Sequence, residues 1–382
     1  MTLSEKIASR VFVCLFAFSN ICHADDTSKI RNALAPFAEE GKIPGIVSVV
    51  WKDGTEWTDC VGFADLASRR PMTPNTLFWI ASQTKAIGAV TFLTLLDEKR
   101  VSLDDLVENY LPEFATVRVK EGTSTREPKS KMTLRQLLSH TSGLPFFPEM
   151  PIDGRPVRLL ASIGAKTPLE SDPGTQYRYS NWGIDVAMAV LEVVTGQPFE
   201  KIMKERVLNP LDMRDTTFFP NDEQMARLAT SYRFDNGKPI AITVDQLQFP
   251  YSLHTRYTEA GGGLFATPVD LLKFYAMLAN GGTGINGKRI LSPETFAELT
   301  RKQTPPGVSA NYSFGLSVVS STVSHGGAYQ TWGEANGSEK SVRLYLVQYS
   351  GGNADTAACR KAWDQVTSAL PTLIDPEQMK KR

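Results

Sequence analysis

The chain is poor in the residues that build metal and redox centres, with four cysteines and four histidines among 382 residues. Cys14 and Cys22 lie in the N-terminal segment. That leaves Cys60 and Cys359, which either pair in an oxidising compartment or remain two separate buried thiols. His140, His254 and His325 are far apart in sequence and no H-E-x-x-H occurs, which argues against a zinc hydrolase; no metal or other cofactor is expected. Charge of one sign is missing too: 41 Lys plus Arg balance 41 Asp plus Glu, and no long basic or acidic tract stands out. Nucleic acid and anionic membrane are therefore poor partners. No apolar run approaches the ~20 residues that span a bilayer, so no stable membrane anchor is expected. The absence of G-x-S-x-G disfavours an α/β-hydrolase, and no internal repeat is visible.

What is present begins with Lys6 and Arg10 ahead of the apolar run 11–18, followed by Cys22-His23-Ala24. This pattern reads as a signal peptide over 1–24, cut before Asp25, and implies a periplasmic or secreted protein. The lipoprotein alternative at Cys22 lacks the small residue that normally precedes such a cysteine. Hydrophobic and charged contents of 42% and 21% are those of an ordinary globular enzyme. The length exceeds what one core usually supports, so two lobes are expected.

Thr27 is a candidate cap for a helix with Ile30, Leu34 and Phe37 on one face, ended by Gly41. Strand-like runs at 46–51 and 57–63 are joined by Asp53-Gly54, a hairpin signal. From Ser82 to Leu96 the sequence is apolar or small nearly all round, as in a helix buried between lobes. Thr133 is placed to cap a helix over 134–138, and Gly143-Leu144-Pro145 to stop it. The segment 146–175, rich in Pro and Gly, reads as a long loop beside a site. Helices are expected over 183–194, ended by Gly196, and over 199–207. Strands are expected at 231–234 and 240–243 around Asp235-Asn236-Gly237. Gly261-Gly262-Gly263 reads as a flexible turn, and Thr267-Pro268-Val269-Asp270 opens a helix to Leu278. Strands over 314–319, 325–332 and 342–349, with Asn336-Gly337 turning between the last two, precede an amphipathic helix over 357–370. The expected fold class is therefore α+β: an antiparallel sheet built from both chain ends and flanked by terminal helices, with a mostly helical lobe inserted. The boundaries drawn are 25–80 plus 258–375 for the sheet lobe and 81–257 for the helical one.

Three short motifs fall at the junctions of this plan. Ser82-x-x-Lys85 opens the buried helix, and its hydroxyl and amine share one helix face. Positive helix-end potential favours developing charge on the serine, and the lysine relays its proton. Tyr179-Ser180-Asn181, the only Y-x-N in the chain, falls just before the helix read as starting near Gly183. There Tyr179, with its phenolate favoured by a nearby lysine, is a candidate general base, and Asn181 a candidate ligand for Lys85 and a substrate amide. His325-Gly326-Gly327-Ala328 falls where the last strands begin. Its glycines admit close approach of a ligand, the N–H groups of Ala328 and Ser82 are candidate oxyanion donors, and His325 is read as a further donor beside them. Singly, each motif is more often structural; their order and setting give them weight.

Taken together, Ser82-x-x-Lys85, Tyr179-x-Asn181 and His325-Gly-Gly resemble the three motifs of the serine β-lactamase and penicillin-binding-protein superfamily. The branch is the class C-like one of exported esterases, D,D-peptidases and lactamases. The stretches 134–144, 173–179 and 262–270 are similar as well, and the likeness spans about 30–370. The resemblance implies a β-lactamase/transpeptidase-like fold, Ser82 as acylated nucleophile, Lys85 and Tyr179 as proton-transfer pair, and Ala328 as oxyanion donor. It also marks a departure, because class C lactamases carry lysine where this chain has His325. Loss of that fixed cation weakens binding of a β-lactam carboxylate, and the resemblance implies a D,D-peptidase or an esterase, in which histidine stands at this place.

The function expected is that of an exported serine hydrolase forming an acyl-enzyme on Ser82. Its substrate would be a small-molecule ester, an amide or a cell-wall peptide. The alternatives are a D-Ala-D-Ala carboxypeptidase or weak lactamase, and an inactive peptidoglycan-binding module. His140 is read as a buttress of its helix end, and Trp332, Phe146 and Phe147 as residues that border the substrate or pack. Nothing in the sequence sets an oligomeric state.

Overall fold

A computed structural model describes residues 24–148, 157–244, 246–247, 251–252 and 258–370. Apart from Ala24, the expected signal peptide lies outside the described residues, as does most of 248–257. The fold is the α+β arrangement expected. Seven strands form one antiparallel sheet in the spatial order Ser317–Val319, Thr322–Gly326, Trp332–Asn336, Ser341–Leu346, Gly45–Lys52, Thr55–Asp65 and Arg70–Pro71. The two chain ends meet at its centre, where Val47 pairs with Leu346 and Lys52 with Ser341. Gly45–Lys52 is buried on both faces along nearly its whole length, which explains its apolar run, interrupted by Ser48, whose hydroxyl accepts from the Trp363 indole (2.8 Å). The hairpin into Thr55–Asp65 turns at Asp53 and Gly54, both with positive φ (47° and 90°). This is the geometry a two-residue turn needs to match the strand twist.

On one face of the sheet, helices Ala24–Glu39 and Ala354–Ala369 bury Ile30, Leu34, Cys359 and Trp363 against Ile46, Val50 and Tyr345. On the other face lies helix Pro268–Ala279, packed against Gly45–Lys52, Trp332–Asn336 and Ser341–Leu346. Beyond it is helix Thr84–Asp97, buried from Thr84 to Leu95 and packed against Asn181–Thr195, Phe199–Met203 and Pro293–Thr300. Each fully buried Phe or Leu there is worth about 1.5–3 kcal/mol, so this seam is firmly anchored. Among the described residues no helix is long and apolar enough to cross a membrane.

Several expectations need correction. The first helix is already running at Ala24, three residues before the proposed cap Thr27. Within the expected loop 146–175 lies helix Val157–Gly164. Its buried residues, Val157, Leu160, Ala161 and Gly164, have helical spacing, and Gly164 lies so close under the Trp182 ring that an added Cβ would stand 2.1 Å from it. The run 325–332 is two strands, not one. Thr322–Gly326 and Trp332–Asn336 pair antiparallel, with Gly326 opposite Trp332, and the turn between them is closed by the Gly327 N–H donating to the Thr331 carbonyl (2.7 Å). Tyr329 and Trp332 lend that turn strand-like composition. The last strand breaks after Leu346, and Tyr349–Ser350 joins Ser231–Asp235 in a separate small sheet. Both cysteines are free, Cys359 buried and Cys60 half-buried, which decides the disulfide question in favour of separate thiols.

Candidate active site

The backbone around Ser82 is held before any side chain is considered. Strand Phe78–Trp79 pairs with Phe265–Ala266, and the Ile80 N–H donates to the Leu264 carbonyl at 3.0 Å. The chain then reverses at Ala81, a non-glycine with φ of 47°, a conformation costing on the order of 1 kcal/mol. Thr84 fixes it: its hydroxyl donates to the Ala81 carbonyl (2.6 Å) and accepts from the Leu264 N–H (3.1 Å). The Trp79 indole donates to the Gly262 carbonyl (2.6 Å). Ser82 therefore lies in a 3₁₀ turn, Ala81–Gln83, and the α-helix starts at Thr84, two residues later than expected. The function of the placement survives, since Ser82 stays partly exposed and Lys85 one turn on is fully buried.

The Lys85 ammonium nitrogen reaches Ser82 Oγ (3.2 Å), Asn181 Oδ1 (2.6 Å) and the Gly261 carbonyl (2.5 Å). Burial pulls its pKa down to about 7, against the pull of the Glu259 and Asp185 carboxylates. It is poised where a proton acceptor is useful at physiological pH. Asn181 is clamped in turn, its Nδ2 donating to Glu259 Oε1 (2.7 Å), while Asp185 Oδ1 accepts the N–H groups of Ala260 (2.8 Å) and Gly261 (3.3 Å). Gly261 packs against Asn181 so tightly that a Cβ would stand 2.7 Å from it. The glycine run read as a flexible turn is therefore a rigid wall of the lysine pocket.

Tyr179 and Asn181 straddle the start of helix Asn181–Thr195. Ser180 is its N-cap, accepting from the Gly183 N–H at 2.9 Å, so Asn181 is the first helical residue and not part of a preceding turn. The Lys85 nitrogen stands 4.6 Å from the centroid of the Tyr179 ring, and the Tyr179 hydroxyl shares a hydrogen bond with Ser82. The expectation of a favoured phenolate is not met. Burial, with the neighbouring Tyr177 and Glu259, raises the Tyr179 pKa, so the phenol keeps its proton and has one to give.

His325 ends Thr322–Gly326 and is buried. Its Nδ1 lies 2.7 Å from the Gly326 carbonyl and its Nε2 3.0 Å from the Tyr312 hydroxyl. Both ring nitrogens are thus engaged within the protein, and the free donor expected of His325 is absent. Burial and the Lys85 charge hold its pKa down to about 3. Next along the chain, Gly327 occupies a gap only a glycine fills: a Cβ would stand 2.1 Å from Thr331 Oγ1 and 2.6 Å from the Ile80 carbonyl. The turn with Gly327 and the exposed Ala328 is thereby fastened to the segment that leads into Ser82. Trp332 faces the opposite side, donating to Glu334 (2.9 Å) beneath the Arg360 guanidinium. Phe146 borders the site, 47% exposed and stacked 6.2 Å from the Tyr179 ring.

The structure thus brings Ser82, Lys85, Tyr179 and Asn181 into direct contact. It sets His325 beside them, its ring 6.2 Å from that of Tyr179, and Gly326, Gly327 and Ala328 follow on the adjoining turn. Sequence reasoning missed Glu259, Asp185 and Tyr312. Neither Glu259, two residues before the glycine run, nor Tyr312 carries a local pattern that singles it out.

Comparison with known proteins identifies the family. The family model described as Beta-lactamase matches residues 30–368. Protein Rv1367c of Mycobacterium tuberculosis is 30% identical over 377 residues, covering 87% of this chain and 93% of that protein. Esterase EstB of Burkholderia gladioli is 30% identical over 342 residues, covering 78% and 82%. Among solved structures, the simvastatin synthase LovD of Aspergillus terreus superposes with a TM-score of 0.78 at 20% identity, covering 92% of this chain and 100% of the other. EstCE1, described as a hydrolase with promiscuous acyltransferase activity, gives 0.74 at 23% identity, covering 90% and 99%. At those identities the structural likeness speaks for the fold.

Proposed function

The chain belongs to the beta-lactamase family and is a serine hydrolase; from that premise we propose that it is a carboxylesterase whose substrates carry no anionic group next to the scissile bond. The observation that carries this reading is His325, a buried neutral ring with both nitrogens engaged, in the place where class C lactamases keep a cation. A β-lactam presents a carboxylate there and finds no fixed positive charge. The similarity to an esterase supports the same reading.

The steps follow from the contacts. Neutral Lys85 takes the Ser82 proton across 3.2 Å while Ser82 Oγ forms a bond to the acyl carbon. The N–H groups of Ser82 and Ala328 receive the oxyanion. Tyr179 then gives its phenolic proton to the departing alkoxide as the ester C–O bond breaks, and the Lys85 ammonium, over the Tyr179 ring, restores it. Water attacks the acyl-enzyme with the same groups in reverse, releasing the acid. Export, drawn from residues 1–24 of the sequence, belongs to the same proposal and is checked by N-terminal sequencing of the periplasmic fraction.

One panel tests the reading. The wild type is expected to gain the mass of a fluorophosphonate adduct on Ser82 and to hydrolyse nitrophenyl esters, with both lost in Ser82→Ala. Nitrocefin and a D-Ala-D-Ala peptide are expected to turn over at least ~100-fold more slowly than the best ester, the scale of a lost charged contact. Faster turnover of either than of every ester overturns it.

A further inference from the structure

We infer that His140 and Tyr312 are positioning residues that engage His325 and so tie the turn carrying Tyr179 to the strand edge leading to Ala328. This rests on the catalytic reading above. The chain of contacts runs through four segments. The Ser180 N–H lies 3.2 Å from His140 Nδ1, His140 Nε2 3.2 Å from the Tyr312 hydroxyl, that hydroxyl 3.0 Å from His325 Nε2, and His325 Nδ1 2.7 Å from the Gly326 carbonyl.

The two ends fix the direction of every proton between them. A backbone N–H can only donate, so His140 Nδ1 is an acceptor and its proton sits on Nε2. A carbonyl can only accept, so His325 Nδ1 carries a proton. Tyr312 receives Nε2–H from His140 and has one proton of its own, which it gives to His325 Nε2. Each ring nitrogen then has one partner, and with both rings neutral no other arrangement of protons satisfies all four links. A doubly protonated His325 would leave two N–H groups converging on Tyr312 and the phenolic proton without an acceptor, in a region where His140 and Tyr312 are both buried and an unsatisfied polar group costs about 1–3 kcal/mol.

The backbone indicates that this arrangement is built. His140 adopts φ of 59° just past the C-cap Ser139 of helix Leu134–Leu138, a left-handed conformation that His visits more often than most non-glycine residues, and its ring lies between Ser180 and Tyr312. Its other neighbours are aromatic: Tyr177, Tyr179 and Tyr312 have ring centroids 5.9, 4.5 and 4.9 Å away. Ser180 is the N-cap of the Asn181 helix and follows Tyr179 directly, while Gly326 precedes the turn with Gly327 and Ala328. Four hydrogen bonds thus set the distance between the proton donor and the oxyanion donor, without either histidine touching substrate.

The decisive measurement is a long-range ¹H–¹⁵N correlation spectrum of the histidine side chains in the intact wild-type protein at neutral pH. His325 is expected as the Nδ1–H tautomer and His140 as the Nε2–H tautomer; either ring in the other tautomer, or doubly protonated, overturns the inference. Two variants test the consequence. Tyr312→Phe removes the shared hydroxyl, and His140→Asn keeps an acceptor for Ser180 in a residue tolerant of positive φ while removing Nε2–H. Both are expected to lower kcat roughly 10- to 100-fold with KM unchanged, the scale of a sub-ångström misplacement of reacting groups, while the Gly326 carbonyl keeps His325 in the Nδ1–H tautomer in Tyr312→Phe. Wild-type kcat in both variants overturns it. Fluorophosphonate labelling of the variants keeps the cases apart: slowed labelling belongs to lost positioning, whereas no labelling even of the wild type would sink the catalytic reading itself.

Discussion

Replacing Glu259 by Gln isolates the charge that holds Lys85 near neutrality. Lys85 sits at a pKa of about 7 because burial pulls it down while Glu259, first, and Asp185 pull it up. The spacing of the leading pair is set by one amide, with Lys85 donating to Asn181 Oδ1 at 2.6 Å and Asn181 Nδ2 donating to Glu259 Oε1 at 2.7 Å. The two charges are therefore roughly 7 Å apart, which at an effective dielectric near 20 is worth about 2 kcal/mol, or roughly 1.5 pH units. Glu259 is 4% exposed and Lys85 fully buried, so solvent screening removes little of it. Gln keeps the side-chain length and an oxygen for Asn181 Nδ2. With the anion gone, burial is less opposed and the Lys85 pKa falls. The unprotonated amine then exists at lower pH, and the acid limb of kcat/KM for a nitrophenyl ester, which reports the free enzyme, moves down by about that amount. A less basic amine is also a weaker proton acceptor, so the plateau above pH 8 drops modestly and the two profiles cross. Measured from pH 5 to 9 at fixed ionic strength, a limb that stays in place or moves up refutes the assignment of Lys85 as base.

Tyr179→Phe removes the proton donor, and alkyl esters are expected to lose about 10²- to 10⁴-fold in kcat while nitrophenyl esters, whose leaving group departs as an anion, lose far less; equal losses would show Tyr179 acting elsewhere. Phe146→Ala removes the exposed ring stacked on Tyr179, and KM for aryl esters is expected to rise about 2- to 10-fold, the worth of an aromatic pair, with acetate esters of small alcohols unchanged in a parallel Michaelis–Menten series. Gly327→Ala forces a methyl to within 2.1 Å of Thr331 Oγ1 and 2.6 Å of the Ile80 carbonyl. Overpacking there is expected to cost about 1–3 kcal/mol in urea denaturation and to depress kcat by shifting the Ala328 turn.

Local chemistry explains what the sequence disclosed and what it did not. Asp53-Gly54, Asn236-Gly237, Thr133 with Gln136, and Thr267-Pro268 act within a few residues, and each does locally what its composition implies. The order of the Ser82, Tyr179 and His325 motifs pointed to one site because each sits at the end of an element whose type was legible. Long-range pairing was not: Glu259 reads as any surface acid until Asn181 is known to stand 2.7 Å away, and Tyr312 lies in an irregular stretch where no periodicity singles it out. Two inferences failed for different reasons. Tyr179 near a lysine suggested a phenolate, an argument that counted the neighbour's charge without the burial, and His325 suggested a free donor although both its ring nitrogens are engaged within the protein. In this site burial is the largest influence on Lys85, Tyr179 and His325 alike.

That common cause links the proton chemistry to substrate choice. A dry pocket disfavours every charge, so Lys85 would be a poor base if its neighbours were cations, since like charge would drive its pKa far below 7. Interaction between the two positions is reciprocal: the Lys85 charge lowers the His325 pKa, and a cation in place of His325 would lower that of Lys85 by the same free energy. The Glu259 anion keeps Lys85 more basic than burial alone allows, and a neutral His325 leaves that effect intact where a cation would oppose it. The same neutrality withdraws the charge that an anionic substrate would seek, and above pH 7 Lys85 itself offers none. The proposed discrimination against carboxylate-bearing substrates would then follow from the same arrangement that sets the Lys85 pKa.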